Sequence, residues 1–308
     1  MRKAVVTEIS KFMKKDSDAY FLTGDLGYHV IEDIRKDFPD RFINVGIAEQ
    51  NMVGIAAGLA LSGNKVFVYS HINFLALRSL EQIRNDVCHH DLDVTFIGVG
   101  AGLAYGLLGE THYAIEDVGV MRSLPNLTIF SPCDEYEAVQ GIKAISEYKH
   151  PVFFRLAGKI EEVINKKKYE FSLGKGVVLQ DGKKITLMTS GPITTEVVKS
   201  SSMIEKKCGV KPSIVCLHTL RPVDEELIVK YGKESDLVVS VEEHRIPGGV
   251  GSIVLETLAK HGVGTKVVTL GIRDDVIEHV GSREFLRKEF GIDAGGIAKS
   301  VCVEFLSS

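Results

Sequence analysis

Val45-Gly46-Ile47-Ala48-Glu49-Gln50-Asn51 stands between two periodicities. Before it, Arg41-Phe42-Ile43-Asn44 is a short β-like stub. After it, Met52, Val53, Ile55, Ala56, Leu59 and Ala60 recur at helical spacing as far as Gly63. Glycine is a common residue just past a helix C-terminus. The change of period marks a strand-to-helix junction, with Glu49 on the first turn of an apolar helix. A carboxylate there has an ordinary explanation, because acids are favoured in first turns. It also has a functional one: a buried carboxyl group with a task.

Outward from this junction the alternation repeats. Residues 1–15 pattern as an amphipathic helix. Tyr20-Phe21-Leu22-Thr23 is a short strand, Gly24-Asp25-Leu26-Gly27 the loop at its end, and 29–37 a second helix. Downstream, strands are predicted at 65–70, 94–99, 127–130 and 151–155, with helices over 75–88, 113–123 and 134–148. The charged, aperiodic stretch 161–183, with Lys166-Lys167-Lys168 inside it, reads as a linker. From 184 the alternation resumes, with strands at 185–189, 213–217, 236–241 and 265–270 and helices over 192–207, 224–231 and 252–261. The fold class is α/β, with domains at 1–160 and 184–308, each a mainly parallel sheet with helices on both faces. In such sheets ligands bind beyond the carboxyl ends of the strands. Asp25, Glu49, His71 to Phe74, the loop Gly100 to His112, and Arg155 all fall there.

Composition excludes several classes. At 44% hydrophobic and 25% charged, the 308 residues are ordinary globular material. The 37 basic and 41 acidic residues leave −4, and no basic tract is long enough to argue for nucleic acid. Cys88, Cys133, Cys208, Cys216 and Cys302 form no CxxC, so a reducing cytoplasm is expected rather than a disulfide framework or a Cys-rich metal site. No signal-peptide core follows Met1, and the apolar runs stop short of the ~18 residues a membrane span needs.

Several smaller constellations carry two readings each. Gly248-Gly249-Val250-Gly251-Ser252 opens a helix after a strand. It could cradle an anion, but a tight turn with close packing is the commoner use, and the G-x-G-x-x-G fingerprint is absent. No P-loop run is present. His89-His90, before Asp91 and Asp93, read as helix-end caps before they read as metal ligands. His112 ends a glycine-rich loop with polar neighbours, a suitable place for a catalytic imidazole. Phe74 by itself reads as core. Arg155 ends an apolar strand, where a charge must be paired or face a cleft.

Taken together, Arg41 to Met52, Ala56-Ala57-Gly58-Leu59-Ala60, Phe74-Leu75, Glu81-Gln82-Ile83-Arg84-Asn85, Thr111-His112, Met121 to Asn126 and Ser131 to Glu137 resemble the pyrimidine-binding half of transketolases and deoxyxylulose-phosphate synthases. Val241-Glu242-Glu243-His244 and the glycine run at 248 resemble the C-terminal domain of the same enzymes. The resemblance covers nearly the whole chain, and the Glu-centred motif is its most specific part. It implies thiamine diphosphate as cofactor, with Glu49 hydrogen-bonded to the aminopyrimidine as the catalytic proton relay. It further implies Phe74 stacked on that ring, Ile47 and Asp25 beside the cofactor, and His112, Arg155 and His29 toward the substrate, His112 assisting proton transfer.

The family holds the diphosphate and Mg²⁺ through a G-D-G motif and a following Asn in a separate N-terminal domain. Gly24-Asp25-Leu26-Gly27 does not supply that motif. The resemblance therefore implies the C-terminal subunit of a split transketolase. Its partner would be an N-terminal subunit carrying the diphosphate and Mg²⁺ site, with a homodimer core inside a heterotetramer; no metal ligands are expected in this chain. The family's substrate-reading histidine and aspartate correspond here to Gly100 and Leu108, so the sugar read by this loop is expected to be unusual. Two alternatives remain: a deoxyxylulose-phosphate synthase-like or 2-oxoacid-decarboxylating subunit, and a non-catalytic regulatory partner.

Overall fold

The computed structural model describes residues 1–158, 163–165, 169–273 and 277–307. The strands in chain order are β1 Ala19–Thr23, β2 Phe42–Asn44, β3 Lys65–His71, β4 Val94–Val99, β5 Thr128–Phe130, β6 Val152–Leu156, β7 Val177–Gln180, β8 Lys184–Thr189, β9 Ser213–Cys216, β10 Thr219–Arg221, β11 Ser235–Arg245 and β12 Lys266–Ile272. They form two sheets, ordered β10-β5-β6-β4-β3-β1-β2 and β12-β11-β8-β9-β7. Both are parallel except at one edge each, where β10 runs antiparallel to β5 and β7 antiparallel to β9. The central strands β3, β4 and β6 read Val66-Phe67-Val68-Tyr69, Val94-Thr95-Phe96-Ile97 and Val152-Phe153-Phe154, all buried. Such continuous apolar runs are what a sheet covered on both faces requires.

Two edges depart from the sequence reading. β7 lies inside the stretch assigned to the linker, so the second sheet begins earlier than residue 184. Its pattern is only half-buried, as suits an edge strand packed on one side, and that weakens its periodic signal. β10 follows β9 in the second half of the chain but adds to the first sheet, so the two sheets share a connection. One apolar cluster joins Met52, Val53 and Phe96 of the first unit to Met188, Val215 and Leu258 of the second. The linker reading at 161–162 and Lys166 to Lys168 lies outside the described residues.

Helix lengths also shift. The segment predicted as one helix over 75–88 is Ile72–Ala76, a break at 77–79, Leu80–Gln82 and a π-helical turn at Ile83–Cys88. Helices at Arg283–Glu289 and Ala294–Leu306 complete the second unit. Among the described residues no helix is long and apolar enough to cross a membrane.

Candidate active site

The junction quoted first is built as its pattern implies. Strand β2 ends at Asn44, and helix Glu49–Leu61 begins at Glu49. Asn44 braces the turn: its Oδ1 accepts from the backbone N–H of Asp25 and of Gly46 (3.0 and 3.1 Å), and its Nδ2 donates to Asp25 Oδ1 (3.0 Å). Asp25 itself is exposed, and these bonds tie the β1 loop to the junction. Gly24 lets the two chains approach, since a Cβ there would lie 3.3 Å from the Gly46 carbonyl oxygen.

Glu49 is 4% exposed. Ser70 Oγ donates to its Oε1 at 3.5 Å, and Arg78 Nη1 donates to its Oε2 at 3.2 Å. The Arg78 guanidinium also lies 4.0 Å over the ring of Phe74. Arg78 sits in the break between the two short helices. Sequence reading missed it, although its i+4 spacing from Phe74 is a usable signal for a pair on one helix face. Beside Glu49 opens a cleft of about 400 Å³ lined by Ile47, Ala48, Gln50, Asn51 and Arg78. Ile47 is 77% exposed there.

Next to Phe74 is a box of rings. His71, at the end of β3, has its ring centroid 5.3 Å from Phe74, 4.9 Å from Tyr105 and 5.8 Å from His112, and Phe74 lies 5.2 Å from His112, all edge-on. Burial holds the His71 pKa below the usual imidazole value. His112 and Arg2 push the same way, while Glu49 opposes. His112 is half-buried. Its Nδ1 pairs with Thr111 Oγ1 at 3.0 Å, which leaves Nε2 as the ring nitrogen for a ligand. Asn73 Nδ2 anchors the loop by donating to the carbonyls of Thr111 (3.2 Å) and Tyr113 (2.5 Å).

The departures at Gly100 and Leu108 have a visible consequence. Gly100 has φ 98°, and a Cβ there would run into the Tyr105 ring. Tyr105 fills the space over position 100, a contact no sequence pattern announced. Leu107 and Leu108 are exposed at the rim.

The other expected site residues fall elsewhere. Arg155, expected to meet a substrate anion, is buried and paired within the protein. Its Nε donates to Asp117 Oδ2 at 2.6 Å, and its Nη2 donates to Asp117 Oδ1 and to the Ala114 carbonyl. The strand-end charge is thus partnered by a side chain 38 residues upstream. His29 is exposed, in a left-handed turn at φ 63°, with its backbone N–H donating to Glu32. The glycine run at 248 receives a carboxyl group of the protein's own: Val250 and Gly251 N–H donate to Glu242 at 2.6 and 2.9 Å. The close-packing reading holds as well, since a Cβ on Gly248 would lie 2.8 Å from Gly119 Cα.

A planar ring that donates N–H groups fits this site, because one planar N–H donor already occupies it. The Arg78 guanidinium engages both the Glu49 carboxylate and the Phe74 face.

Comparison with known proteins agrees with the geometry. Residues 1–159 match the pyrimidine-binding domain family of transketolase, and residues 174–297 match the transketolase C-terminal domain family. A putative transketolase C-terminal section from Methanocaldococcus jannaschii is 37% identical over 307 residues, which is 99% of this chain and 96% of the relative. One subunit of an apulose-4-phosphate transketolase from Actinobacillus succinogenes is 41% identical over 262 residues, covering 85% of this chain and 84% of the relative. A solved split-gene transketolase, described as an inactive beta4 tetramer, superposes with a TM-score of 0.86 at 33% identity, over 97% of this chain and 96% of that one.

Proposed function

The chain belongs to the transketolase family, and from that premise we propose that Glu49, Phe74 and His112 form the pyrimidine half of a thiamine-diphosphate site completed by a partner subunit. The chain is a split transketolase-like transferase subunit acting on sugars. The observation that carries the site assignment is the shared guanidinium: a carboxylate and a ring face converge on one planar N–H donor.

Thiamine diphosphate supplies the electron sink for cleaving and remaking a carbon–carbon bond. The residues of this chain do the rest of the local work. Glu49 would accept a ring N–H at a carboxylate oxygen and relay a proton there. Phe74 gives the ring a face to stack on. Ile47, exposed in the cleft, would cover the cofactor there, and Asp25 braces the turn through Asn44. His112 hands a proton through Nε2 to a substrate oxygen, and the neutral His71 beside it keeps like charge away. Diphosphate and Mg²⁺ belong to the N-terminal partner, in a two-plus-two assembly around a dimer of this chain. Two similar proteins support this: the apulose-4-phosphate transketolase chain is named as one subunit of its enzyme, and the solved split-gene chain, a β tetramer, is described as inactive.

For substrate, the loop from Gly100 to His112 offers an aromatic and two leucines where the family places a histidine and an acid. A ketose whose binding does not rest on polar contacts at those two positions fits best. Arg155 is committed to Asp117 and the Ala114 carbonyl, so the anion contact expected of it is not assigned to it.

The test is co-expression with the N-terminal subunit and a mass-spectrometric screen of ketose donors and aldehyde acceptors. Two-carbon extension of the acceptor is the expected result. Release of CO₂ from pyruvate without ketol transfer would favour the decarboxylating alternative. Micromolar binding of thiamine diphosphate with Mg²⁺ by this chain alone would end the partner proposal.

A further inference from the structure

We propose that Cys133, Glu137 and Cys216 form a binding site for a thiophilic divalent cation, Zn²⁺ by preference, that clamps the two halves of the chain. The proposal is independent of the transketolase chemistry. All three residues are fully buried, and their ligand atoms lie within 4.8 Å of one another. They come from separate places in the sequence: Cys133 and Glu137 flank the start of helix Glu135–Ser146, whereas Cys216 ends β9 in the second sheet.

The 4.8 Å bound leaves room for a small tetrahedral ion that draws its ligands together. With Zn–S of about 2.3 Å and Zn–O of about 2.0–2.2 Å, neighbouring ligand atoms in a tetrahedron lie roughly 3.3–3.8 Å apart. Asn165 closes the group from one side: its Nδ2 donates to Cys133 Sγ at 3.5 Å and to Glu137 Oε1 at 3.3 Å. Glu137 Oε1 also accepts from the Tyr169 hydroxyl at 3.1 Å, and Oε2 accepts from Cys133 N–H at 2.7 Å, which leaves Oε2 a free lone pair for an ion. The protein ligand set is two sulfurs and one carboxylate oxygen, with the fourth position left to water.

Electrostatics also favour a cation. Asp134 is buried beside the group and accepts from the backbone N–H of Glu137, Ile164 and Asn165. Among the described residues neither Asp134 nor Glu137 forms an ion pair. Burial raises the Cys133 thiol and the Glu137 carboxyl toward their neutral forms. A divalent ion reverses that balance: both thiols, and the Glu137 carboxyl where it holds a proton, give their protons up to solvent on coordination.

The test uses the full chain, produced in zinc-supplemented medium and kept reduced. Its metal content is measured, and the apo-protein is then titrated with Cd²⁺ while thiolate-to-metal charge transfer is followed in the ultraviolet. A Cys208→Ser background removes the other close thiol pair, Cys208 with Cys302. One ion per chain, a saturable charge-transfer band and a melting temperature raised by the ion are the expected results. Cys133→Ser and Cys216→Ser should each abolish the band, with circular dichroism confirming the fold. Folded wild-type chain that takes up no stoichiometric ion and develops no band overturns the proposal, whatever the variants do. A band that survives in folded Cys216→Ser overturns it as well.

Discussion

Arg78 Nη1 lies 3.2 Å from Glu49 Oε2 while its guanidinium carbon rests 4.0 Å above the Phe74 ring. One half-exposed side chain thus occupies both surfaces assigned to the cofactor ring. Arg78 is half-exposed and returns to water when displaced, and a ring N–H would replace its hydrogen bond to the buried Glu49, so the exchange keeps Glu49 partnered. Arg78→Ala should leave the fold intact and leave thiamine diphosphate affinity of the reconstituted enzyme unchanged or improved. Calorimetric titration measures this. A loss beyond tenfold would make Arg78 a ligand of the cofactor instead of its stand-in.

Glu49→Gln keeps the shape and removes the proton-holding carboxyl. Turnover of the complex should fall by about 10²–10⁴-fold, the usual range for a general acid–base group. Assembly with the partner, followed by size-exclusion chromatography, should persist. Unchanged kcat in a properly assembled variant would remove Glu49 from the proton relay.

Tyr105 and position 100 are sterically coupled. Gly100→Ala drives a methyl group into the Tyr105 ring from a backbone at φ 98°. A cost of about 1–3 kcal/mol is expected from strain and overpacking. Tyr105→Ala should recover the packing part, so a double-mutant cycle in urea unfolding should show strong coupling. Additive effects would mean that the ring does not hold that space. Tyr105→Ala should also broaden the range of ketose donors, read as KM values across a donor panel.

Acid should destabilise the protein partly through His218. Its ring is buried between Phe130 and Phe171, and burial lowers its pKa from 6.5 to about 4. The unfolded chain therefore takes up this proton first as pH falls. The stabilisation is complete above pH 6.5 and is lost between there and pH 4, in total about 3 kcal/mol. In urea unfolding across that window, His218→Phe should flatten the slope. An identical slope in the variant would assign the acid sensitivity elsewhere.

Glu243 joins the two units from beneath the loop Gly100 to His112. Burial alone would raise its pKa, but Arg283 and Arg287 hold it down at about 2. Gly102, at φ 65°, leaves room for its carboxylate, which accepts from Leu103 N–H at 3.4 Å. Glu243→Gln leaves two guanidinium groups short of their partner and should cost about 3–5 kcal/mol. A thermal melt that barely moves would show the cluster to be solvated in solution.

Much of this site was legible because its signals are local. A strand stub, a turn and a small-residue helix identify Glu49, and the loop before His112 is glycine-rich for a reason that the positive φ at Gly100, Gly102 and Gly109 makes plain. Other parts were not legible because each depends on a partner distant in sequence. Arg155 looked like an anion receptor until Asp117 appeared beside it. The glycine run at 248 read first as a tight turn, and its pairing with Glu242 of the preceding strand was not visible from the sequence. β7 is nowhere fully buried and β10 is only three residues long, so neither segment carries a strong period.

The sequence by itself determined the two α/β units, the order of their central strands and helices, and the junction carrying Glu49. These follow from hydrophobic period and turn residues, properties read over a few neighbouring positions. The tertiary structure decided what each charged or aromatic side chain faces: Arg78 on Glu49 and Phe74, Tyr105 over Gly100, Asp117 against Arg155, and Cys216 beside Cys133 and Glu137. The physical reason is that the sheets bring together strand ends and loops tens of residues apart. The pairing of a buried charge or a ring is fixed by that approach and not by spacing along the chain.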